Sequence, residues 1–198
     1  GYAYAAYAAA SGWLRRLGEP GRADEWAERA ERLRTAFAAA FWLDDLGTYA
    51  MALDGAKRPL GVLNSDAGQL LWTGIVPDAR APRLVATLLS ESSWSGWGLR
   101  TLGAGEARYN PVSYHNGSVW PHDTALFAAG LAAYGFADQS AAVRSALFDL
   151  ARCQPALRLP ELVAGYARDG RPPVPYPVAC RPQAWDAAAL VYLASLET

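Results

Sequence analysis

The sequence predicts an all-α protein built from helical hairpins. Apolar residues recur at spacings of three and four along most of the chain. The periodic segments come in pairs joined by short turns, whereas long irregular segments separate one pair from the next. With 198 residues, of which 52% are hydrophobic and 19% charged, the chain is long enough for one domain with a sizeable core.

The first hairpin is predicted at the start of the chain. Tyr4, Tyr7, Ser11 and Leu14 share one face of a helix that ends near Gly18. The next helix is indicated by a second apolar set with the same spacing: Trp26, Ala30, Leu33, Phe37 and Phe41. Between these apolar positions lies a charged face that suits solvent.

The segment from Gly47 to Gly55 alternates weakly and is bounded by glycines, so either a short strand or an extended arm is expected there. Large aromatic residues outside the long loops are expected to fill the core. These are Trp26, Trp42 and Trp72.

A second pair of helices follows this segment. Asn64, Ser65 and Asp66 are good N-cap residues for a helix through Trp72. Pro77 starts its partner, which carries Leu84, Val85, Leu88 and Leu89.

The third pair runs from Pro121 to about Tyr134 and from Ala137 to Ala151. An apolar helix from Gln183 to Leu196 closes the chain. When hairpins with tight turns stack side by side, the long loops collect at the opposite end of the stack. Function is therefore expected in the long loops, Glu91–Ser118 and Leu157–Pro182.

These loops mix aromatic rings with polar side chains. The aromatic members are Trp94, Trp97, Tyr109, Tyr114, Trp120 and Tyr166, of which Trp120 lies just past the first loop. Sugars suit such a surface, because their C–H faces stack on aromatic rings while their hydroxyls bond to carboxylates, amides, Arg or His.

Composition excludes several partners. Eighteen basic and nineteen acidic residues give a net charge of −1 with no block of one sign, so neither nucleic acid nor a membrane surface is an expected partner. Cys153 and Cys180 show no metal-type spacing and are expected to be free buried thiols. No cofactor is expected.

The segment "YNPVSYHNGSVWPHD", Tyr109 to Asp123, contains both histidines of the chain. His115 and His122 lack a recognised metal-ligand spacing and an obvious third ligand, so no metal site is predicted. Asp123 near a helix start fits either a favourable charge at the helix dipole or a ligand contact. Spacing alone makes Glu161, which follows Pro160, an exposed acid in the first turn of a short helix.

Four motifs carry a resemblance to a known family. "SGWGLRTLG", "RYNPVSYHNGSVWPHD", "LPELVAGYARDG" and "PYPVACRPQAW" resemble, in this order, the active-site loops of bacterial amylo-alpha-1,6-glucosidase or glycogen-debranching-type proteins. The resemblance implies an (α/α)6 toroid, six helical hairpins around a central sugar site, as in glucoamylases and trehalases. It covers nearly all of residues 1–198 and implies a single incomplete domain, about the C-terminal half of the toroid.

The same resemblance assigns roles to individual residues. The glutamate of "LPELVAGY", Glu161, occupies the position of the general base. In such proteins a segment that resembles "SYHNGSVWPHD" lies against the sugar. The resemblance therefore implies a sugar-binding wall formed by His115, Asn116, Gly117, Trp120, His122 and Asp123. The matching motifs add further sugar-binding candidates: Trp97, Arg100, Tyr109, Asn110, Tyr114, Gln183 and Trp185. The sequence departs from the family pattern at Gln69, where His is expected, and at Thr124, where Asn is common.

The implied mechanism is hydrolysis with inversion of an alpha-glucan or related oligosaccharide, in which one carboxylic acid protonates the glycosidic oxygen and a carboxylate activates water. The family's general acid lies in a Trp- and Asp-bearing loop that this chain lacks, so we expect it in an N-terminal part of the toroid. Exposed hairpin edges should then favour self-association, and a cytoplasmic location is expected.

Two other classes remain open. A non-catalytic carbohydrate-binding protein needs the aromatic loops without the acid, and a sugar epimerase or lyase on a similar toroid would use the histidines as acid and base.

Overall fold

The computed structural model describes residues 1–196 and confirms the all-α prediction. This part of the chain contains seven α-helices: α1 Tyr2–Arg16, α2 Pro20–Phe41, α3 Asp66–Thr73, α4 Ala81–Leu88, α5 Pro121–Ala133, α6 Ala137–Arg152 and α7 Ala184–Ser195. A single 3₁₀ turn, Pro155–Leu157, follows α6 in the described residues. Most helix boundaries lie within two residues of the predicted ones.

Short strands lie between α2 and α3, where a strand or an arm was predicted. They are β1 Trp42–Leu43, β2 Thr48–Tyr49, β3 Ala52–Leu53 and β4 Pro59–Leu60. Strand β1 pairs antiparallel with β2, and β3 pairs antiparallel with β4. The side chain of Tyr49 is buried and stacks on Phe37 of α2, so the first ribbon is part of the core.

The helices pack as three hairpins and one further helix. Helix α1 packs on α2, α3 on α4, and α5 on α6. Helices α3, α5 and α7 lie side by side in one row, with α5 in the middle. Helix α5 is apolar on all sides and largely buried, as expected for a helix with neighbours on every face. Its Leu131 and Phe127 are fully buried.

Two glycines allow α3 and α5 to approach closely. A Cβ on Gly130 would lie 2.6 Å from the backbone nitrogen of Trp72, and one on Gly68 would lie 3.2 Å from Phe127. Because real Cβ atoms rarely or never approach that closely, larger residues would push the two helices apart. The close contact fixes the position of the N-terminal end of α3 beside that of α5.

Helix α4 begins later than predicted. Residues 77–80 form a turn in which the N–H of Arg80 bonds to the carbonyl of Pro77, and the helix starts at Ala81. Pro82 explains the difference, because proline has no N–H to donate and is accommodated in the first turn of a helix.

The burial predicted for three tryptophans and two cysteines is wrong in detail. Trp72 is 39% exposed, since its indole packs against Tyr2 at the surface instead of filling the interior. Trp26 and Trp42 are half-buried. The cysteines Cys153 and Cys180 are free, as predicted, but both are exposed rather than buried, because each follows the end of a helix or lies in a long loop.

The first and the last helix have exposed apolar edges. Helix α7 is apolar on every side, yet only Asp186, Ala189 and Leu193 are buried, and Val191 is 72% exposed. In the first hairpin, Trp13 of α1 is 70% exposed. None of the described helices has the length and apolar character needed to cross a membrane.

We expect the 198-residue chain to self-associate through these edges, because an apolar helix with one buried face leaves a contiguous patch in water. Light scattering and the fluorescence of a hydrophobic dye measure the effect. Val191→Lys should lower both the scattering intensity and the dye fluorescence. Ala36→Lys adds the same charge at an exposed position of α2 and should change neither signal. A monodisperse chain that binds no dye would contradict the expectation.

Candidate active site

An open cleft lies where the N-terminal ends of α3, α5 and α7 meet the long loops, as the sequence predicted for the loop end of the stack. Its volume is about 430 Å³. The lining residues are Ser65, Asp66, Gln69, Thr101, Tyr114, His115, Trp120, His122, Asp123, Glu161 and Trp185. The positive dipole ends of the three helices lie at this region, which favours the carboxylates gathered there.

A ladder of single β-bridges joins the loops that build the cleft. Arg100 pairs with Val119, Val119 with Val163, and Val163 with Pro175. Val119 and Val163 exchange both backbone hydrogen bonds, at 2.9 and 3.0 Å, and both side chains are buried. The loop before α5 and the loop before α7 are therefore held in one fixed register.

Two glycines bring these loops into backbone contact. A Cβ on Gly165 would lie 1.6 Å from the carbonyl oxygen of Gly117, a distance that no side chain could tolerate. Gly117 itself has φ +146°, and a Cβ there would lie 2.7 Å from the ring of Tyr109. The contact sets Tyr114, on one loop, beside Glu161, on the other.

Arg100 braces this arrangement from inside the protein. The residue is 4% exposed, and its guanidinium donates to the carbonyl oxygens of Gly165 at 2.7 Å, Glu91 at 2.8 Å and Ser92 at 3.2 Å. The hydroxyl of Tyr109 donates to the same Gly165 oxygen at 3.1 Å. Both Arg100 and Tyr109 were predicted to bind sugar, and both lie behind the cleft because loop carbonyls take their donors.

Glu161 lies in the cleft wall and is 8% exposed. The Tyr114 hydroxyl donates to its Oε1 at 2.7 Å, and the Cys180 backbone N–H lies 3.4 Å from Oε2. The amide of Gln183 approaches Oε1 at 3.5 Å. The expectation from spacing alone, an exposed helical acid, is wrong, because Glu161 lies outside any helix and its N–H bonds to the Cys180 carbonyl.

The Tyr114 phenol is tied to the Glu161 carboxylate. The hydrogen bond from its hydroxyl, together with desolvation and the negative charge of Glu161, raises the pKa of Tyr114 to about 12. Tyr114 therefore stays protonated and remains a donor to the carboxylate throughout the neutral and mildly alkaline range.

Aromatic rings form one wall of the cleft. The His115 ring stacks on Trp120, with centroids 5.6 Å apart and planes 7° from parallel. His122 stacks on Trp185 at 4.2 Å and 19°. The indole N–H of Trp120 donates to Ser118 Oγ at 3.0 Å, so its ring is fixed in position. Trp120 is only 7% exposed and supports the wall from behind, whereas Trp185 is 49% exposed and offers a flat ring of the kind that packs on sugars.

The cleft also carries two aspartates. Asp123 is 6% exposed and accepts a hydrogen bond from the amide of Gln69, which in turn accepts from the Tyr2 hydroxyl. Burial, followed by the nearby charge of Asp123, raises the pKa of Asp66. The departure from the family pattern at Gln69 is thus part of a hydrogen-bond chain that reaches the cleft.

A buried aspartate lies behind the aromatic wall. Asp186 of α7 is fully buried, and its Oδ1 accepts the backbone N–H of His122 at 2.9 Å. Burial raises the pKa of Asp186, while its contacts with His122 act in the opposite direction. The contact ties the first turn of α7 to the first turn of α5.

The structure brings together seven of the predicted site residues: Tyr114, His115, Trp120, His122, Asp123, Glu161 and Trp185. Gln183 adjoins them through Glu161. Four lining residues were not predicted as site residues: Ser65, Asp66, Gln69 and Thr101. Asp66 and Gln69 lie one helical turn apart at the start of α3, and that spacing after a long loop is a signal that could have marked them.

The remaining predicted residues lie apart from this cleft. Trp97 is 5% exposed and lines a different cleft, with the Arg168 guanidinium 4.3 Å from its ring centroid. Asn110 accepts the Val112 N–H, and the Asn116 carbonyl accepts the Asn110 N–H. These two asparagines, like Arg100, Tyr109 and Gly117, hold the loops in shape. In the part of the chain that the structure describes, no cluster of three or more His, Cys, Asp or Glu could hold a metal ion.

Helical hairpins with carboxylates and aromatic rings at one end of the stack are the arrangement of (α/α)6 glycosidase domains, and this chain is part of such a toroid. Residues 1–161 match the model of the mannosylglycerate hydrolase MGH1-like glycoside hydrolase domain, and the chain belongs to this family. The match places it in the glycoside hydrolase class without singling out the debranching enzymes. No curated protein sequence matches the chain.

Solved structures support the fold. An uncharacterized conserved protein from Thermus thermophilus superposes with a TM-score of 0.74 at 21% identity, over 96% of this chain and 44% of that one. The GH63 mannosylglycerate hydrolase from the same organism, in complex with glucose, has a TM-score of 0.70 at 22% identity, over 97% of this chain and 45% of that one. Neutral trehalase Nth1 from Saccharomyces cerevisiae has a TM-score of 0.73 at 15% identity, over 98% of this chain and 36% of that one. The chain thus spans less than half of each of these structures.

We expect Gly165→Ala to destabilise the protein by more than about 4 kcal/mol, because the new methyl group would displace the Gly117 backbone and separate the two loops. Gly12→Ala is the matched control, since nothing lies within 4 Å of that position in α1. It should stabilise the helix by about 0.5–1 kcal/mol. Urea unfolding followed by circular dichroism measures both, and an unchanged midpoint for Gly165→Ala would contradict the close contact.

Proposed function

We propose that this chain forms the general-base side of an inverting glycoside hydrolase site that acts on uncharged oligosaccharides of the alpha-glucan type. Glu161 is the general base in this proposal. The observation that carries the proposal is the Glu161 carboxylate in the cleft wall, with one oxygen held by Tyr114 and an aromatic wall beside it.

The two oxygens of Glu161 differ in a way that suits a base. Oε1 accepts a short bond from Tyr114, whereas Oε2 has only the distant Cys180 N–H, at 3.4 Å, among the described residues. Oε2 is therefore the oxygen with free capacity to take a proton from water. Since the Tyr114 hydroxyl stays protonated, it holds the carboxylate orientation while Oε2 accepts the proton.

An inverting reaction needs a second carboxyl group, about 6.5–9.5 Å from the base, to protonate the leaving oxygen. In this mechanism the general acid comes from a part of the toroid outside these 198 residues. Asp66, with its raised pKa, and Asp123 are the other carboxyl groups of the cleft in the described part of the chain. In this proposal they bind sugar hydroxyls as hydrogen-bond acceptors.

The charge of the cleft supports an uncharged substrate. Three carboxylates line it, those of Asp66, Asp123 and Glu161, and none of the described lining residues is Lys or Arg. The buried Arg100 nearby is occupied by three carbonyl oxygens. An anionic group would meet repulsion here, whereas sugar hydroxyls would find acceptors. The glucan specificity and the alpha-1,6 linkage rest on the motif resemblance.

We expect Glu161→Gln to lower kcat by about 10²–10⁴-fold while substrate affinity stays nearly constant, because glutamine keeps the shape of glutamate but cannot take a proton. Steady-state kinetics on an alpha-glucoside, with the protein as its gene encodes it, measures the loss. NMR of the first-formed anomer tests inversion. Asp66→Asn and Asp123→Asn are matched carboxylate controls, which should raise KM more than they lower kcat. A Glu161→Gln variant with most of its kcat would contradict the assignment.

We expect Trp120→Ala to act on binding, because the buried indole supports the rings of His115 and His122, whose contacts with sugar serve ground and transition states alike. KM should rise about 10-fold or more with a smaller change in kcat, as a loss of uniform binding predicts, while Trp97→Ala, outside the cleft, should leave KM unchanged in the folded protein. Sugar binding that persists in a wild-type protein with no detectable hydrolysis would favour a non-catalytic carbohydrate-binding protein instead.

A further inference from the structure

Two neighbouring side chains behind the aromatic wall each have a buried polar atom without a hydrogen-bond partner. Among residues 1–196, His122 Nδ1 and Asp186 Oδ2 are each buried without a hydrogen-bond partner. The other oxygen of the same carboxylate, Oδ1, lies 3.7 Å from that Nδ1. Because buried polar groups nearly always find a partner, an unpaired ring nitrogen beside a carboxylate that keeps one oxygen unpaired points to a pair that closes when the site is filled.

The surroundings allow His122 little freedom. Its ring stacks on Trp185 at 4.2 Å and meets Trp120 edge-on at 5.8 Å. Its backbone N–H is bonded to Asp186 at 2.9 Å, so the carboxylate is anchored next to the ring. A small rotation of the imidazole or of the carboxylate would bring Nδ1 within hydrogen-bond distance, while the stacked rings would keep the imidazole plane.

The opposite edge of the His122 ring faces the cleft. The side chain is 25% exposed and lines the cleft, and since Nδ1 is buried, this exposure belongs to the edge that includes Nε2. In a neutral imidazole one nitrogen donates and the other accepts, and the partner of one decides the role of the other.

We propose that Asp186 is a positioning residue that holds His122 as the Nδ1–H tautomer and leaves Nε2 as a hydrogen-bond acceptor for a substrate hydroxyl. A carboxylate beside Nδ1 accepts only from a ring that carries a proton there. Nε2 then has a lone pair directed into the cleft. The sugar-hydroxyl part of this assignment rests on the proposed function, whereas the tautomer does not.

The direct test is ¹⁵N NMR of the protein labelled at histidine, recorded at alkaline pH where imidazole is neutral. His122→Gln identifies the His122 signals, and His115, which stacks on Trp120, is the internal control. We expect a protonated Nδ1 and an unprotonated Nε2 for His122. Asp186→Asn should shift His122 towards the Nε2–H tautomer and leave His115 unchanged.

A His122 that is already Nε2–H in the wild-type protein would overturn the assignment, and so would an unchanged His122 spectrum in a folded Asp186→Asn variant. If Asp186→Asn does not fold, the wild-type tautomer alone decides the question. Addition of an alpha-glucoside should shift the His122 Nε2 signal, and no shift at a saturating concentration would overturn the sugar contact.

Kinetics separates this positioning role from a purely structural one. We expect Asp186→Asn to lower kcat/KM about 3- to 10-fold, mainly through KM, as for the loss of one hydrogen bond. In a His122→Ala background the same substitution should have no further effect, because Asp186 acts through His122. Additive losses would overturn the assignment. A protein without hydrolytic activity but with the expected tautomer would contradict the proposed function and support the role of Asp186.

Discussion

The backbone contact between the two long loops is the constraint on which the cleft depends. Val119 and Val163 exchange hydrogen bonds, and Gly165 lies directly against the Gly117 carbonyl. This contact joins segments that are distant in the sequence and leaves no room for sliding, because a shift of one residue would turn the buried valines outwards. Tyr114 and Glu161 meet only because this register is fixed.

The buried polar groups of the loops divide into those that support the backbone and those that face the cleft. Arg100 and Tyr109 direct their donors to the Gly165 carbonyl. Tyr114 directs its donor to a carboxylate instead. The guanidinium, which is the strongest donor among these groups, thus holds the loop, and the carboxylates of the cleft keep free acceptor oxygens for a ligand.

The three helices of the inner row contribute to the site through their first turns. Asp66 begins α3, Asp123 lies in the first turn of α5, and Asp186 lies in the first turn of α7. Each carboxylate gains from the positive end of its helix, which offsets part of the cost of burial for Asp123 and Asp186 and part of the repulsion among the three charges. The close packing of α3 and α5 at Gly68 and Gly130 keeps these first turns together.

The hairpins, the loop lengths and the segments that carry chemistry follow from the amino-acid sequence, since they depend on local spacing, on proline and glycine, and on recognisable motifs. Which side chains meet depends on the folded arrangement. Arg100 and Trp97 belong to a motif that also supplies a cleft residue, yet their own side chains lie away from the cleft. Asp66 and Gln69 resemble ordinary residues at the start of a helix, yet they line the cleft. The reason is that a side chain's partner across the loops is set by the register of Val119 with Val163 and by the approach of α3 to α5, and no local pattern in the chain encodes those long-range contacts.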